Sequence, residues 1–81
     1  MEVLSLKALL GVIIKSLVDK PEDVEILQIE LDGDIRLEIT VHPDEVGKII
    51  GKQGRIAKAI RTIMKAYAIK ENKRVSVEIM Q

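Results

Sequence analysis

The chain has 81 residues, is 47% hydrophobic, and carries 13 basic and 13 acidic side chains. A chain of this length buries about 60 to 65% of its unfolded surface and supports a single core; with no Phe or Trp and one Tyr, that core must be aliphatic. The absence of cysteine excludes disulfides, thiolate catalysis and zinc-thiolate sites, and the hydrophobic content excludes a disordered chain.

Taken in chain order, residues 3 to 18 place Leu6, Leu10, Ile13 and Leu17 at spacings of four, three and four, with Leu9 and Ile14 widening the stripe. This is the period of an amphipathic helix, and Lys20-Pro21 ends it. Lys7 and Lys15 interrupt the run and no small-residue cleavage site follows, so it reads neither as a signal peptide nor as a membrane span. A cytoplasmic protein is the resulting expectation. The segments 24–31 and 35–41 are β-branched and alternating, and Asp32-Gly33-Asp34 between them predicts a hairpin. In the second strand Ile35, Leu37, Ile39 and Val41 share one face. In the first, the phase slips between Ile26 and Leu27, which predicts a bulge.

Pro43, followed by Asp44 and Glu45, has the pattern of a helix start, and the short helix it opens runs to about Ile50. Gly51 ends that helix and Gly54 opens another, from Arg55 to about Ile69. Ile56, Ile60, Ile63 and Tyr67 form its apolar stripe, flanked by Ala57, Met64 and Ala68; Arg55, Lys58, Arg61 and Lys65 lie on the opposite arc. Residues 74–80 alternate again, with Val75, Val77 and Ile79 inward. The pattern predicts an α+β fold over 1–81, one domain, with helices packed on one face of a three-stranded sheet.

Charge is unevenly distributed. Residues 1–42 hold four basic and nine acidic side chains, a net of −5, and residues 43–81 hold nine and four, a net of +5. A polyanion responds to the local patch within a Debye length of about 8 Å, so the neutral total does not exclude one.

The basic half contains "KIIGKQGRIAKAI", residues 48–60. Gly51 can take positive φ at a helix end, and Gly54 lets another molecule approach the start of the next helix, whose free N–H groups attract anions. Lys52 adds charge at the tip, and Lys48, Arg55 and Lys58 surround it. The spacing is neither that of a P-loop nor that of a dinucleotide fold, and the Gly47/Gly51 pair has no apolar 20-mer around it. His42 has no second histidine or cysteine to complete a metal site and reads as an exposed strand end. Tyr67 reads as a core residue with its hydroxyl at the rim, the pairs Asp32/Asp34 and Asp44/Glu45 as turn and helix-start carboxylates, and Arg61 and Lys65 as surface. No catalytic residue, metal or cofactor is expected.

The run "VGKIIGKQGRIAKAIRTI" resembles the signature of a KH domain: an apolar pair, a G-x-x-G loop with basic or polar middle residues, then an amphipathic helix. The order α-β-β-α-α-β resembles the type II, bacterial arrangement, and the length resembles the small stand-alone proteins of the KhpA family. The resemblance implies single-stranded RNA binding of low sequence specificity, as an RNA chaperone or post-transcriptional regulator, with about four nucleotides in an apolar groove. By position it implies a backbone clamp of Gly51, Lys52, Gln53 and Gly54, phosphate partners in Lys48, Arg55 and Lys58, and a groove floor and underlying core from Ile49, Ile50 and Ile56. Ile39 and the second strand would supply the other groove wall. It further implies pairing with a second copy or another KH protein, and no small-molecule substrate or membrane partner. The alternative is a protein-interaction module in which the G-x-x-G loop is only structural.

Overall fold

The computed structural model describes residues 4–81. Ser5 sets where the first helix begins: its hydroxyl accepts the Ala8 N–H at 3.1 Å, satisfying one of the donors a helix start leaves free. Helix α1 accordingly runs Leu6–Leu17, not from residue 3; Val3 lies outside the described residues. The chain leaves the helix at Val18, ahead of Lys20-Pro21, and makes one 3₁₀ turn over Pro21–Asp23.

Strands β1 (Glu25–Leu31) and β2 (Asp34–Thr40) form the hairpin. Its two-residue turn has φ of 52° at Asp32 and 83° at Gly33, the left-handed pair that matches the twist of the flanking strands. Pairing is antiparallel and unbroken from Glu25 opposite Thr40 to Leu31 opposite Asp34, so the expected bulge is absent. The slip in hydrophobic phase has another cause. Ile39, Leu37 and Ile35 face the helices, and the register places Ile26, Gln28 and Glu30 beside them. Leu27, Ile29 and Leu31 therefore sit on the outer face.

After a 3₁₀ turn at Pro43–Glu45, the chain forms α2 (Val46–Ile50), a second such turn at Lys52–Gly54, and α3 (Arg55–Lys70). Helix α3 ends in a Schellman motif: Lys73 N–H donates to Ala68 C=O (2.8 Å) and Asn72 N–H to Ile69 C=O (3.0 Å), with Asn72 at φ 57°. Strand β3 (Arg74–Ile79) then lies parallel to β2, from Asp34 beside Arg74 to Ile39 beside Ile79. The sheet order is β1-β2-β3, which leaves β1 and β3 as opposite edges.

One cluster of buried side chains joins α1 (Leu6, Leu10, Ile14), β2 (Ile35, Leu37, Ile39), Ile49 of α2, α3 (Ile60, Met64, Ala68) and Val77. Each of its fully buried aliphatic side chains contributes about 1.5 to 3 kcal/mol relative to exposure. The α3 stripe is rotated from the one its spacing predicts: Ala57, Ile60, Met64 and Ala68 are buried, while Ile63 is 50% exposed. Two alanines on the inward face let α3 lie close against the sheet. Among the described residues no helix is long and apolar enough to cross a membrane.

Candidate nucleic-acid interface

The loop between α2 and α3 is built by its glycines for two different reasons. Gly51 closes α2, its N–H donating to Gly47 C=O at 2.8 Å, and has φ 77°, ψ 173°. A Cβ there would lie 2.6 Å from Ile56 Cγ1, so both conformation and packing demand glycine. Gly54 caps α3 with φ 71°, ψ 15°, and a Cβ on it would meet nothing within 4 Å. That surface is open. Gln53 between them also takes left-handed backbone, φ 58° and ψ 25°.

Around this turn Lys52, Arg55 and Lys58 are exposed, and the Arg55 guanidinium donates to Gln53 Oε1 at 3.2 Å. The free N–H groups at the start of α3, sixteen residues long, place partial positive charge at the same point. Beneath the loop Ile49 is fully buried, and Ile50 and Ile56 are half-buried.

Lys48 stands apart from the other cations. Its ammonium is shared between Asp19 and Glu45, at 3.3 Å from the latter. Glu45 is only 3% exposed, and its carboxylate also accepts the backbone N–H groups of Asp19 and, at 2.9 Å, Lys20. Glu45 is thus more than a helix-start carboxylate: it clasps the segment after α1 to the start of α2. The clasp shows in proton affinity. Burial pushes the Glu45 carboxyl up, but the Asp19 and Lys20 N–H donors together with Lys48 hold it below its ordinary 4.5. The hydrogen bond and charge of Lys48 lower Asp19 below 3.8, and the bond to Asp19 leads those that raise Lys48 above 10.5. Nearby, His42 Nδ1 accepts the Asp44 N–H at 3.1 Å, and its ring is partly covered.

Ile39 cannot form a groove wall, because the central strand buries it completely. The strand exposed beside α3 is β3. Arg61 Nε donates to Val77 C=O at 3.2 Å, and Arg61 and Lys65 line a small hollow of about 120 Å³ with Val75, Ser76 and Val77. Arg61 and Lys65 therefore extend the row begun by Lys58 toward the β3 edge and are more than the plain surface expected of them. Their spacing from Lys58, three and seven residues, carried that signal.

Comparison with known proteins adds to this geometry. A family model described as KhpA/KhpB, KH domain, matches residues 7–79. The chain belongs to this family. The RNA-binding protein KhpA of Clostridium perfringens is 60% identical over 75 residues, covering 93% of this chain and 100% of that one. That of Clostridium acetobutylicum is 57% identical over the same length and coverage, and that of Chlamydia trachomatis 46% identical over 76 residues, 94% of this chain and 97% of its own. A crystal structure of Aquifex aeolicus Era has the same fold over 95% of this KhpA/KhpB-type domain, with a TM-score of 0.58 and 22% identity. The domain spans 31% of that Era chain. Its architecture is the type II KH arrangement expected from element order.

Proposed function

We propose that this KH domain binds single-stranded RNA through the Gly51–Gly54 loop, with the sugar-phosphate backbone lying against the side-chain-free surface of Gly54. The observation that carries this reading is that open glycine at the start of α3, flanked by the exposed cations Lys52, Arg55 and Lys58. The names of the similar proteins, RNA-binding protein KhpA, support it. Lys52 and Gln53 form the tip of the clamp; Arg55, oriented by Gln53, and Lys58 meet neighbouring phosphates. Lys48 is a weaker partner, since two carboxylates already hold its ammonium. Bases then run from the loop along α3 toward the β3 edge, over Ile50, Ile56 and the Arg61–Lys65 row.

Low sequence specificity follows from the chemistry of these contacts. Phosphate contacts fix position and carry no base information, and the one aromatic ring, Tyr67, donates its hydroxyl to Leu4 C=O between α1 and α3 and is no stacking platform. Such binding suits an RNA chaperone or post-transcriptional regulator. Pairing with a second copy or another KH protein would raise affinity by joining two short sites.

The test is Lys52→Asp with Gln53→Asp. Aspartate tolerates the left-handed conformation of position 53, and both side chains are exposed, so the fold should survive. Fluorescence anisotropy with short single-stranded RNAs should show affinity reduced about tenfold or more, with circular dichroism unchanged. A folded variant that binds as tightly as the parent rules out the clamp.

A further inference from the structure

The free edge of β1 has features that RNA binding does not use. Met80 N–H donates to Ile39 C=O at 2.9 Å, so the backbone of Ile39 faces β3. Alternation along β2 then turns Glu38 and Arg36 toward their register partners Leu27 and Ile29. The amides and carbonyls of Ile26, Gln28 and Glu30 accordingly point away from the sheet. Strand β1 is lightly defended as an edge: its seven residues pair without a bulge and include no Pro or Lys, and the one charge on its inward face is Glu30 near the turn. The opposite edge is treated differently, with Arg61 covering the Val77 carbonyl.

Both sides of this edge offer surface to an added strand. On the outer sheet face Leu27, Ile29 and Leu31 are 57%, 42% and 70% exposed, an apolar strip of roughly 300 Å², comparable to the largest patch on a typical monomer. On the helix side an open groove of about 620 Å³ runs between β1 and α1, with Ala8, Gly11, Val12 and Ile26 as its apolar lining. Lys7, Lys15 and Glu25 rim it, so the groove itself has little net charge. The ends of the strand do not: residues 21–33 hold Glu22, Asp23, Glu25, Glu30 and Asp32 and no Lys or Arg.

We propose that the β1 edge takes up an extended segment of another protein as an additional strand, aliphatic in the row beside Leu27 and Ile29, uncharged in the row over the groove, and basic at its ends. Backbone hydrogen bonds to Ile26, Gln28 and Glu30 supply affinity, and the alternate side chains supply selectivity. A second copy of β1, paired antiparallel, is a poor occupant because it would set Glu22, Asp23 and Glu25 of one chain close to Glu30 and Asp32 of the other, and RNA is repelled by the same carboxylates. The inference stands independently of the RNA-binding reading.

The probe is a synthetic peptide of alternating valine and threonine with lysines at both ends, compared with a counterpart carrying glutamates there. In amide-resolved NMR with hydrogen exchange, the lysine peptide should protect the amides of Ile26, Gln28 and Glu30 and bind about tenfold or more tightly than the glutamate peptide. Gln28→Pro removes the central outward N–H without costing a bond to β2, and should weaken binding about tenfold or more. The double change Leu27→Thr, Ile29→Thr keeps strand propensity, removes the strip, and should do the same; it carries the test if Gln28→Pro fails to fold. RNA affinity should be unchanged in both. No binding by the lysine peptide, equal binding by the two peptides, or protection confined to α1 or α3 would overturn the proposal. So would protection of the same amides without peptide in a protein that sediments as a dimer, which would assign the edge to a second copy.

Discussion

Gly51 and Gly54 differ in what a side chain would cost. Gly54→Ala meets only the left-handed backbone penalty, about 1 to 2 kcal/mol. Gly51→Ala puts a side chain in a backbone region open essentially to glycine alone (φ 77°, ψ 173°), about 1 to 3 kcal/mol, and also drives a methyl group into Ile56, adding about 1 to 3 kcal/mol. Urea denaturation should therefore rank Gly51→Ala as clearly the more damaging, and equal losses would contradict the loop geometry. Glu45 makes a second prediction at this scale. Its pKa and that of Asp19 are lowered in the folded state, so the folded chain binds fewer protons than the unfolded chain as pH falls below about 4.5. The stability these carboxylates give is complete above their ordinary values of 4.5 and 3.8 and is lost as pH drops through the lowered ones. Lys48, raised above 10.5, contributes fully below that value and loses its contribution at still higher pH. Glu45→Gln should lower the melting temperature at pH 7 by roughly 5 °C or more and flatten the acid limb of a melting-temperature profile.

At the scale of elements, helix α3 offers the sharpest check. Ile60 is buried and Ile63 half-exposed, so Ile60→Ala should cost about 2 to 4 kcal/mol and Ile63→Ala less than about 1 kcal/mol by chemical denaturation. Similar losses at both would restore the stripe read from spacing. That stripe was misplaced because α3 is apolar over more than half its circumference, and Ala57 and Ala68, weakly hydrophobic by type, turned out to mark the inward face. Elements whose signals are local were legible: Asp32-Gly33 makes the hairpin and the two glycines frame the loop, while α1 was legible as a helix but not in its limits, which Ser5 and Val18 set inside those read from spacing. Strand β1 was legible in extent but not in orientation, since its aliphatic residues face outward and alternation alone cannot say which face is covered. The Glu45 clasp could not be read at all. Apart from Lys48, three residues on, its partners are backbone amides 25 and 26 residues earlier, which leave no side-chain pattern.

Across the whole molecule, the two charge halves of the sequence occupy different edges of one sheet. Basic α3 lies beside β3, and the acidic hairpin forms the edge at β1. If two to four phosphates are neutralised on the α3 side, log affinity for single-stranded RNA should fall against log salt with a slope of roughly −1.4 to −2.8, measured by anisotropy across a salt series. A flat response would contradict phosphate recognition. The packing of α1 on α3 has a practical outcome too. Tyr67 is the lone aromatic residue; its hydroxyl reaches across to Leu4, and burial, followed by the charge of Glu71, raises its pKa above 10.0. All near-ultraviolet absorbance of the chain therefore comes from one phenol at the junction of its first and last helices. Spectrophotometric titration of that phenol should place its ionisation above that of free tyrosine in the native protein and return it to the free value in urea, which makes the native chromophore an optical gauge of α1 docking.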